Sequence, residues 1–175
     1  MAWEYLYDKM DFRVWTIAGY LKGKTKDKVI FDLNGMHCPL LKYIDHDYKE
    51  YIANDLQTVF PSEYPRCRFH TISDVLMIYR LPVVDIMIAI GIGGHEITNE
   101  PLESPTSTES TISIINKCKP SIVILENIQD FRSVMDNIIR NINYKVVQEL
   151  KIDAPQPPEV PYPNVFKREL IFLEL

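Results

Sequence analysis

The sequence of 175 residues is poor in three features that would narrow its class. Cysteine is the first, because the chain has three of them, and none belongs to a Cys-x-x-Cys pair or a Cys/His cluster. Neither a disulfide framework nor a zinc site, nor any other metal site, is therefore predicted. We expect Cys38, Cys67 and Cys118 to be small core or surface thiols.

Long apolar runs and an excess of basic charge are the other two missing features. No segment approaches the roughly 20 residues that span a bilayer, and the start MAWEYLYDKMDF lacks the order of a signal peptide. We expect a cytoplasmic protein without a membrane partner. A net charge of −5 argues against binding nucleic acid through phosphate neutralisation alone, although a local basic patch is compatible with it.

The composition predicts one globular domain over residues 1–175, because 46% of the residues are hydrophobic and 25% are charged. Its central stretch is Val84–Thr98. An apolar run typical of a parallel strand buried on both faces ends there in a glycine turn, Gly91–Gly94. Ligands of open α/β sheets bind outside the carboxyl ends of the strands, so we expect the functional site at this turn.

The remaining chain alternates between strand and helix patterns, which predicts a doubly wound α/β sheet closed by a terminal hairpin. Residues 1–27 form a helical lead-in, residues 99–108 a mobile loop or a poorly ordered excursion, and residues 154–164 a Pro-rich loop. Helices are predicted from Pro39, over Ser110–Lys117 and over Asp130–Ile142. The seven predicted strands are Lys28–Leu33, Tyr48–Ala53, Arg68–Ile72, the central apolar run, Ser121–Leu125, Tyr144–Ile152 and Arg168–Leu175.

Strand ends and short motifs from Val29 to Leu175 resemble the class I S-adenosylmethionine-dependent methyltransferases, and most closely the DNA cytosine-5 methyltransferases. The segments that carry the resemblance are Asp32–Pro39 (family pattern DLFAGxGG), Asn54-Asp55-Leu56, Asp74 in SDV, Asp85–Gly94 (DxLxGGxPCQ), Lys119–Ile128 (KPxxxxxENV) and Phe166–Leu170 (QxRxR). KPSIVILENI is the most specific match, since a carboxylate and an amide at the end of a buried strand are unusual without a polar partner. The resemblance implies a Rossmann-like methyltransferase fold with strand order 3-2-1-4-5-7-6 and an antiparallel last strand.

The resemblance also implies a site for S-adenosylmethionine at the strand ends. Asp55 would accept both ribose hydroxyls, and Asp74 would bind the adenine amine. The alternative for each aspartate is a cap on the helix that follows it. The full set of implied cofactor-binding residues is Asp32, Asn34, Gly35, Asp55, Asp74 and Asp85.

Four residues are candidates for the chemistry. In the family, the residue matching Glu126 holds the target base and assists its activation, and the residue matching Arg168 positions that glutamate or the base. Their alternatives are a carboxylate bonded to backbone and a solvated strand charge. His95 and Glu96 follow the glycine turn and are acid/base candidates near a transferred methyl group, or simply polar loop residues.

Departures from the family pattern divide the functional hypotheses. The cysteine that attacks cytosine has no counterpart at Ile92-Gly93, and Met36, Cys38 and Pro39 replace the expected glycines of the cofactor loop. We therefore predict a degenerate cytosine-5 methyltransferase-like protein, a nucleic-acid or protein interaction module that does not methylate cytosine. The alternative is an active methyltransferase that acts on N or O without a covalent intermediate. FDLNG resembles the haloacid-dehalogenase DxDG more weakly, because Asn34 replaces the second aspartate.

Overall fold

The computed structural model describes residues 11–33, 39–54, 64–70, 83–91, 108–153 and 167–175. Three helices lie in these ranges: α1 (Asp11–Leu21), α2 (Thr108–Cys118) and α3 (Arg132–Arg140). Short 3₁₀ turns cover Pro39–Lys42 and Gln129–Phe131. The strands are β1 (Val29–Asp32), β2 (Glu50–Asn54), β3 (Cys67–His70), β4 (Ile86–Ile90), β5 (Ile122–Ile128), β6 (Lys145–Asp153) and β7 (Lys167–Glu174).

The strands form one seven-stranded sheet in the order β3-β2-β1-β4-β5-β7-β6. The pairs among β1 to β5 are parallel, and β7 is antiparallel to both β5 and β6. The predicted order and the reversed last strand are confirmed. Because the first five strands run the same way, their carboxyl ends meet at one edge of the sheet, which we call the carboxyl edge; the opposite edge is the amino edge.

Each face of the sheet carries its own hydrophobic core. On one face α1 packs through Val14, Ile17 and Leu21 against alternate residues of the strands, among them Ile30 and Ile124. On the other face α2 and α3 pack against the intervening residues. Successive strand side chains point to opposite faces, so strands buried on both faces become continuous apolar runs in the sequence.

The strand bounds differ from the predictions at the site. Strand β5 extends to Ile128 instead of stopping at Leu125, because its antiparallel pairing with β7 continues as far as the Ile128–Arg168 pair. Asn54 closes β2 as its last strand residue, paired with His70. The backbones of Glu126 and Asn54 are therefore held by hydrogen bonds within the sheet, whereas the sequence placed both residues just after a strand.

The helical predictions hold with shifted ends. The helix predicted from Asp130 begins as a 3₁₀ turn and becomes α-helical at Arg132, with Met135 and Ile138 buried one turn apart. The loop predicted at residues 99–108 is one residue too long, because α2 already begins at Thr108; residues 99–107 and the loop predicted at 154–164 lie outside the described residues. Within the described chain, none of the helices is both long and apolar enough to cross a membrane.

Candidate functional site

A row of polar side chains lies along the carboxyl edge, where an otherwise apolar sheet ends. Asp32, Asn54 and Glu126 close or nearly close three of the parallel strands, and all three are buried. The register pairs Asp32 with Ala53 and Ile88, and Glu126 with Ile90, so these residues belong to the same end of the sheet. Buried polar groups need partners, and these partners define the chemistry of the edge.

The β1–β2 part of the edge holds a carboxylate and an amide. Oδ2 of Asp32 accepts a hydrogen bond from the Tyr51 hydroxyl. The Asn54 side-chain amide donates to the carbonyl oxygen of Leu33 at 3.3 Å, which ties the end of β2 to the residue that follows β1. The Asn54 oxygen Oδ1 is buried and accepts no hydrogen bond from the residues that the structure describes. A buried acceptor without a donor is costly, so this position suits a ligand that donates a hydrogen bond.

The β5 part of the edge holds a buried charge cluster. The Glu126 carboxylate is fully buried and lies between two buried guanidinium groups. Arg168 of β7 places Nη1 3.2 Å from Oε1, and Arg13 of α1 places Nη1 3.5 Å from Oε2. One carboxylate thus faces two cations.

The bonding inside this cluster is incomplete. Oε1 of Glu126 accepts no hydrogen bond of normal geometry despite its short distance to Arg168, and Nε of Arg13 has no acceptor. The next residue along the edge is Gly91, which follows β4 with φ of +66° and donates its N–H to the Glu126 carbonyl at 2.9 Å. Glycine adopts that backbone conformation at little cost, so the first glycine of the turn has a structural reason.

Arg13 is the site residue that the sequence reasoning missed. It lies four residues before Ile17 and eight before Leu21, so it occupies the buried stripe of α1. An arginine on an apolar stripe needs a buried partner, and that pattern was visible in the sequence. The partner, Glu126, lies 113 positions away and could be identified only from the fold.

The structure brings Asp32, Glu126 and Arg168 to the carboxyl edge but places Asp85 elsewhere. Asp85 precedes β4 at the amino edge, where its Oδ2 accepts the Val29 N–H at 2.8 Å and its Oδ1 lies 3.7 Å from the Lys28 ammonium. These bonds tie the start of β1 to the start of β4. Asn34, Gly35, Asp55, Asp74, His95 and Glu96 lie outside the described residues.

The search of family models finds no match, and no curated protein matches the sequence. Solved structures do match over nearly the whole chain. The methyltransferase domain of bacterial CtHen1 superposes with a TM-score of 0.64 at 15% identity, covering 94% of this chain and 98% of that one. The N-methyltransferase NodS of Bradyrhizobium japonicum gives 0.62 at 9% identity, covering 93% and 92%.

The chain has the methyltransferase fold. The precorrin-8w decarboxylase of Methanobacterium thermoautotrophicum gives a TM-score of 0.63 at 15% identity over 93% of this chain and 90% of that one. Among further neighbours, the tRNA (uracil-54, C5)-methyltransferase of Pyrococcus abyssi was solved with S-adenosylhomocysteine. With identities this low, the likeness establishes the Rossmann-like architecture.

Proposed function

We propose that this chain binds S-adenosylmethionine and transfers its methyl group to a nitrogen or oxygen atom of a nucleic acid or a small molecule. One observation carries the proposal: buried polar side chains line the carboxyl edge of a sheet with a reversed seventh strand. That edge is where α/β sheets bind their ligands. The named neighbours include the N-methyltransferase NodS, which is of similar length, and a tRNA methyltransferase, which favours an enzyme over the degenerate cytosine-5 hypothesis.

The β1–β2 part of the edge is the proposed cofactor site. S-adenosylmethionine would supply an electrophilic methyl group there. Asn54 offers a buried acceptor without a donor, which fits a ligand that carries hydroxyl or amine donors. By resemblance, Asp55 would accept the ribose hydroxyls, Asp74 would accept from the adenine amine, and Asp32, Asn34 and Gly35 would complete the cofactor-binding set. For Asp85 we propose a structural role, since its bonds lie at the amino edge.

The β5 part of the edge is the proposed site for the methyl acceptor. We assign to Glu126 the binding of an N–H or O–H of that acceptor, with Arg168 positioning the carboxylate. Because Glu126 is fully buried, a substrate reaches it only after Arg13 moves aside. Arg13 makes the longer contact, so it is the partner that is easier to displace. His95 and Glu96 are the proposed acid/base groups at the neighbouring turn.

Isothermal titration with S-adenosylmethionine and S-adenosylhomocysteine tests the proposal. We expect micromolar binding by the parent chain and an affinity about 10-fold or more weaker in Asp55→Ala, which loses charge-assisted hydrogen bonds. Asp85→Asn is the control, because it retains an acceptor at the amino edge and is expected to bind as the parent does. Absence of binding at millimolar ligand would contradict the enzyme hypothesis.

A degenerate cytosine-5 methyltransferase-like interaction module is the second candidate. The contact between Arg168 and Glu126 favours it, since the resemblance implies that the arginine positions the glutamate. The central turn contains no cysteine to attack a cytosine ring. This candidate predicts a folded chain that binds neither form of the cofactor, so the same titration distinguishes the two.

A further inference from the structure

Two aromatic side chains stand exposed on the outer side of α1. Trp15 is 56% exposed and Tyr43, just after the first 3₁₀ turn, is 39% exposed. Their rings meet edge to face with centroids 6.0 Å apart. Together with Ala18, Gly19, Lys22 and Asp45 they line a groove of about 320 Å³, which we call the Trp15 groove.

The position of the Trp15 groove relates it to the site. Arg13 reaches Glu126 from the inner side of α1, and Trp15 follows two residues later. Two residues turn a helix by about 200° and advance it by about 3 Å, so the two side chains leave opposite sides of α1 at nearly the same height. The groove therefore begins opposite the Glu126 cluster, separated from it by the helix, and extends along α1 to Lys22, beyond Tyr20, which contacts Glu174 at the amino edge.

The groove can hold one planar ring. Its volume is at the lower end of small-molecule sites, and a cleft of that size beside an exposed indole suits the stacking of one base. Gly19 leaves its side of the groove open, since no described atom outside α1 lies within 4 Å of the position that a Cβ would occupy there. Asp45 adds an acceptor for the amine of a base, and Lys22 adds a donor for a phosphate.

Around the groove the two lysines Lys22 and Lys42 outnumber Asp45 by one charge, although the whole chain is acidic. Lys22 lines the groove and Lys42 immediately precedes Tyr43; both are exposed, and neither forms an ion pair in the part of the chain that the structure describes. Nearby Lys24 and Lys28 are already engaged, with Glu174 and Asp85 respectively. Two unpaired ammonium groups beside exposed rings are the combination that binds single-stranded nucleic acid.

A protein partner fits the groove less well. The other large exposed apolar side chains of the described chain, Val83, Val147 and Leu175, belong to separate elements. Protein interfaces need a contiguous apolar centre of several hundred square ångströms, and two rings beside a lysine and an aspartate do not supply one. We propose that the Trp15 groove binds single-stranded nucleic acid, with a base stacked on Trp15, whose ring Tyr43 supports edge to face, and neighbouring phosphates on Lys22 and Lys42.

Fluorescence anisotropy of a labelled single-stranded RNA of about 12 nucleotides tests this proposal, and the assay needs no cofactor. We expect saturable binding by the parent chain at low ionic strength. Trp15→Ala should weaken it about 5- to 100-fold, whereas Trp15→Phe should retain most of the affinity, because stacking needs a ring. Because Trp15 is exposed, the melting temperatures of both variants should match that of the parent.

The salt dependence separates a built site from general attraction. Two phosphate contacts on a single strand predict that log affinity falls against log salt with a slope of about −1.4. Lys22→Gln should reduce that slope by about 0.7, while Lys145→Gln, an exposed lysine at the start of β6, should leave it unchanged. Equal effects of the two lysine variants would overturn the proposal.

Three other results would overturn it as well: no RNA binding by the folded parent, full affinity in Trp15→Ala, or equal affinity for a duplex of the same sequence. Self-association of the chain that Trp15→Ala abolishes, measured by sedimentation without RNA binding, would assign the groove to a second copy instead. Because the assay omits S-adenosylmethionine, failure of the proposed methyl transfer leaves its outcome unaffected.

Discussion

Two buried glutamates lie on neighbouring strands, and their surroundings differ. Glu126 on β5 points to the α1 face, and Glu169 on β7, paired with Asn127, points to the opposite face. Glu169 bonds Arg132 at 2.6 Å. The same guanidinium also reaches Asp136 at 2.7 Å and Glu149 at 3.0 Å.

The two clusters differ in how many cations and carboxylates face each other and in how completely these groups are hydrogen-bonded. Arg132 is surrounded by three carboxylates and remains partly exposed, and its hydrogen bonds to Glu149 and Asp136 raise its pKa. Glu126 lies between two buried cations whose contacts are longer than those of Arg132. Its own oxygen Oε1 accepts no hydrogen bond from the described residues. A buried ion pair is poor evidence for stability, and an incompletely bonded one is a candidate functional group. We therefore interpret the Arg132 cluster as a fastening between α3 and the terminal hairpin, and the Glu126 cluster as the site.

Replacing Glu126 is the largest perturbation that the comparison predicts. Glu126→Gln removes the carboxylate that two buried guanidinium groups share, and we expect the free energy of unfolding to fall by about 3–5 kcal/mol. Urea denaturation followed by circular dichroism measures it. A loss under about 1 kcal/mol would mean that the arginines relax to solvent and that the cluster is not truly buried.

Glu169→Gln is the matched change in the other cluster, and its effect should be smaller. The glutamine oxygen still accepts from Arg132, which also retains Asp136 and Glu149. We expect the free energy of unfolding to fall by about 2 kcal/mol, the scale of one weakened charge-assisted hydrogen bond. If this variant proves less stable than Glu126→Gln, the two clusters have been assigned the wrong way round.

The sequence predicted more of the fold than of the site. Apolar runs fixed the number of strands, and the motif resemblance supplied the strand order that the structure confirms. It also made Glu126 and Arg168 candidates, because both belong to short motifs, and the resemblance implied that the arginine positions the glutamate or the base. Arg13 belongs to no motif. Its contact with Glu126 follows only from the way α1 packs on the sheet. Asp85 was grouped with cofactor residues because it begins a motif, although its strand end lies at the other edge.

Removing Arg13 tests whether the second cation beside Glu126 contributes to stability. Arg13→Met retains the aliphatic length on the buried stripe of α1 and leaves Glu126 paired with Arg168 one to one. The lost contact is long and a repulsion between cations is relieved, so we expect the free energy of unfolding to fall by only about 1 kcal/mol. A loss as large as that of Glu126→Gln would contradict the idea that Arg13 is the displaceable partner. The urea assay used for the glutamates applies here.

At the other end of α1 a single hydrogen bond links a neutral hydroxyl to a carboxylate, and we expect its loss to have the smallest effect of the series. The Tyr20 hydroxyl donates to Glu174 of β7 at 2.8 Å in a half-exposed setting, so this anchor pairs a neutral donor with a carboxylate. Tyr20→Phe should therefore lower the free energy of unfolding by about 0.5 kcal/mol at neutral pH. Burial, together with the hydrogen bond to Glu174 and the charge of that carboxylate, raises the pKa of Tyr20 to about 12.

Because the folded pKa exceeds the unfolded value of about 10, the contribution of Tyr20 is fully present below that pH and is lost as the pH rises from there to about 12. Tyr20→Phe should thus lose less stability than the parent over that range, in urea titrations at several pH values. Arg13→Met should keep the parent's alkaline slope, since it leaves Tyr20 and Glu174 in place. Identical slopes in the parent and Tyr20→Phe would show that the hydroxyl at this end of α1 titrates as it does in the unfolded chain.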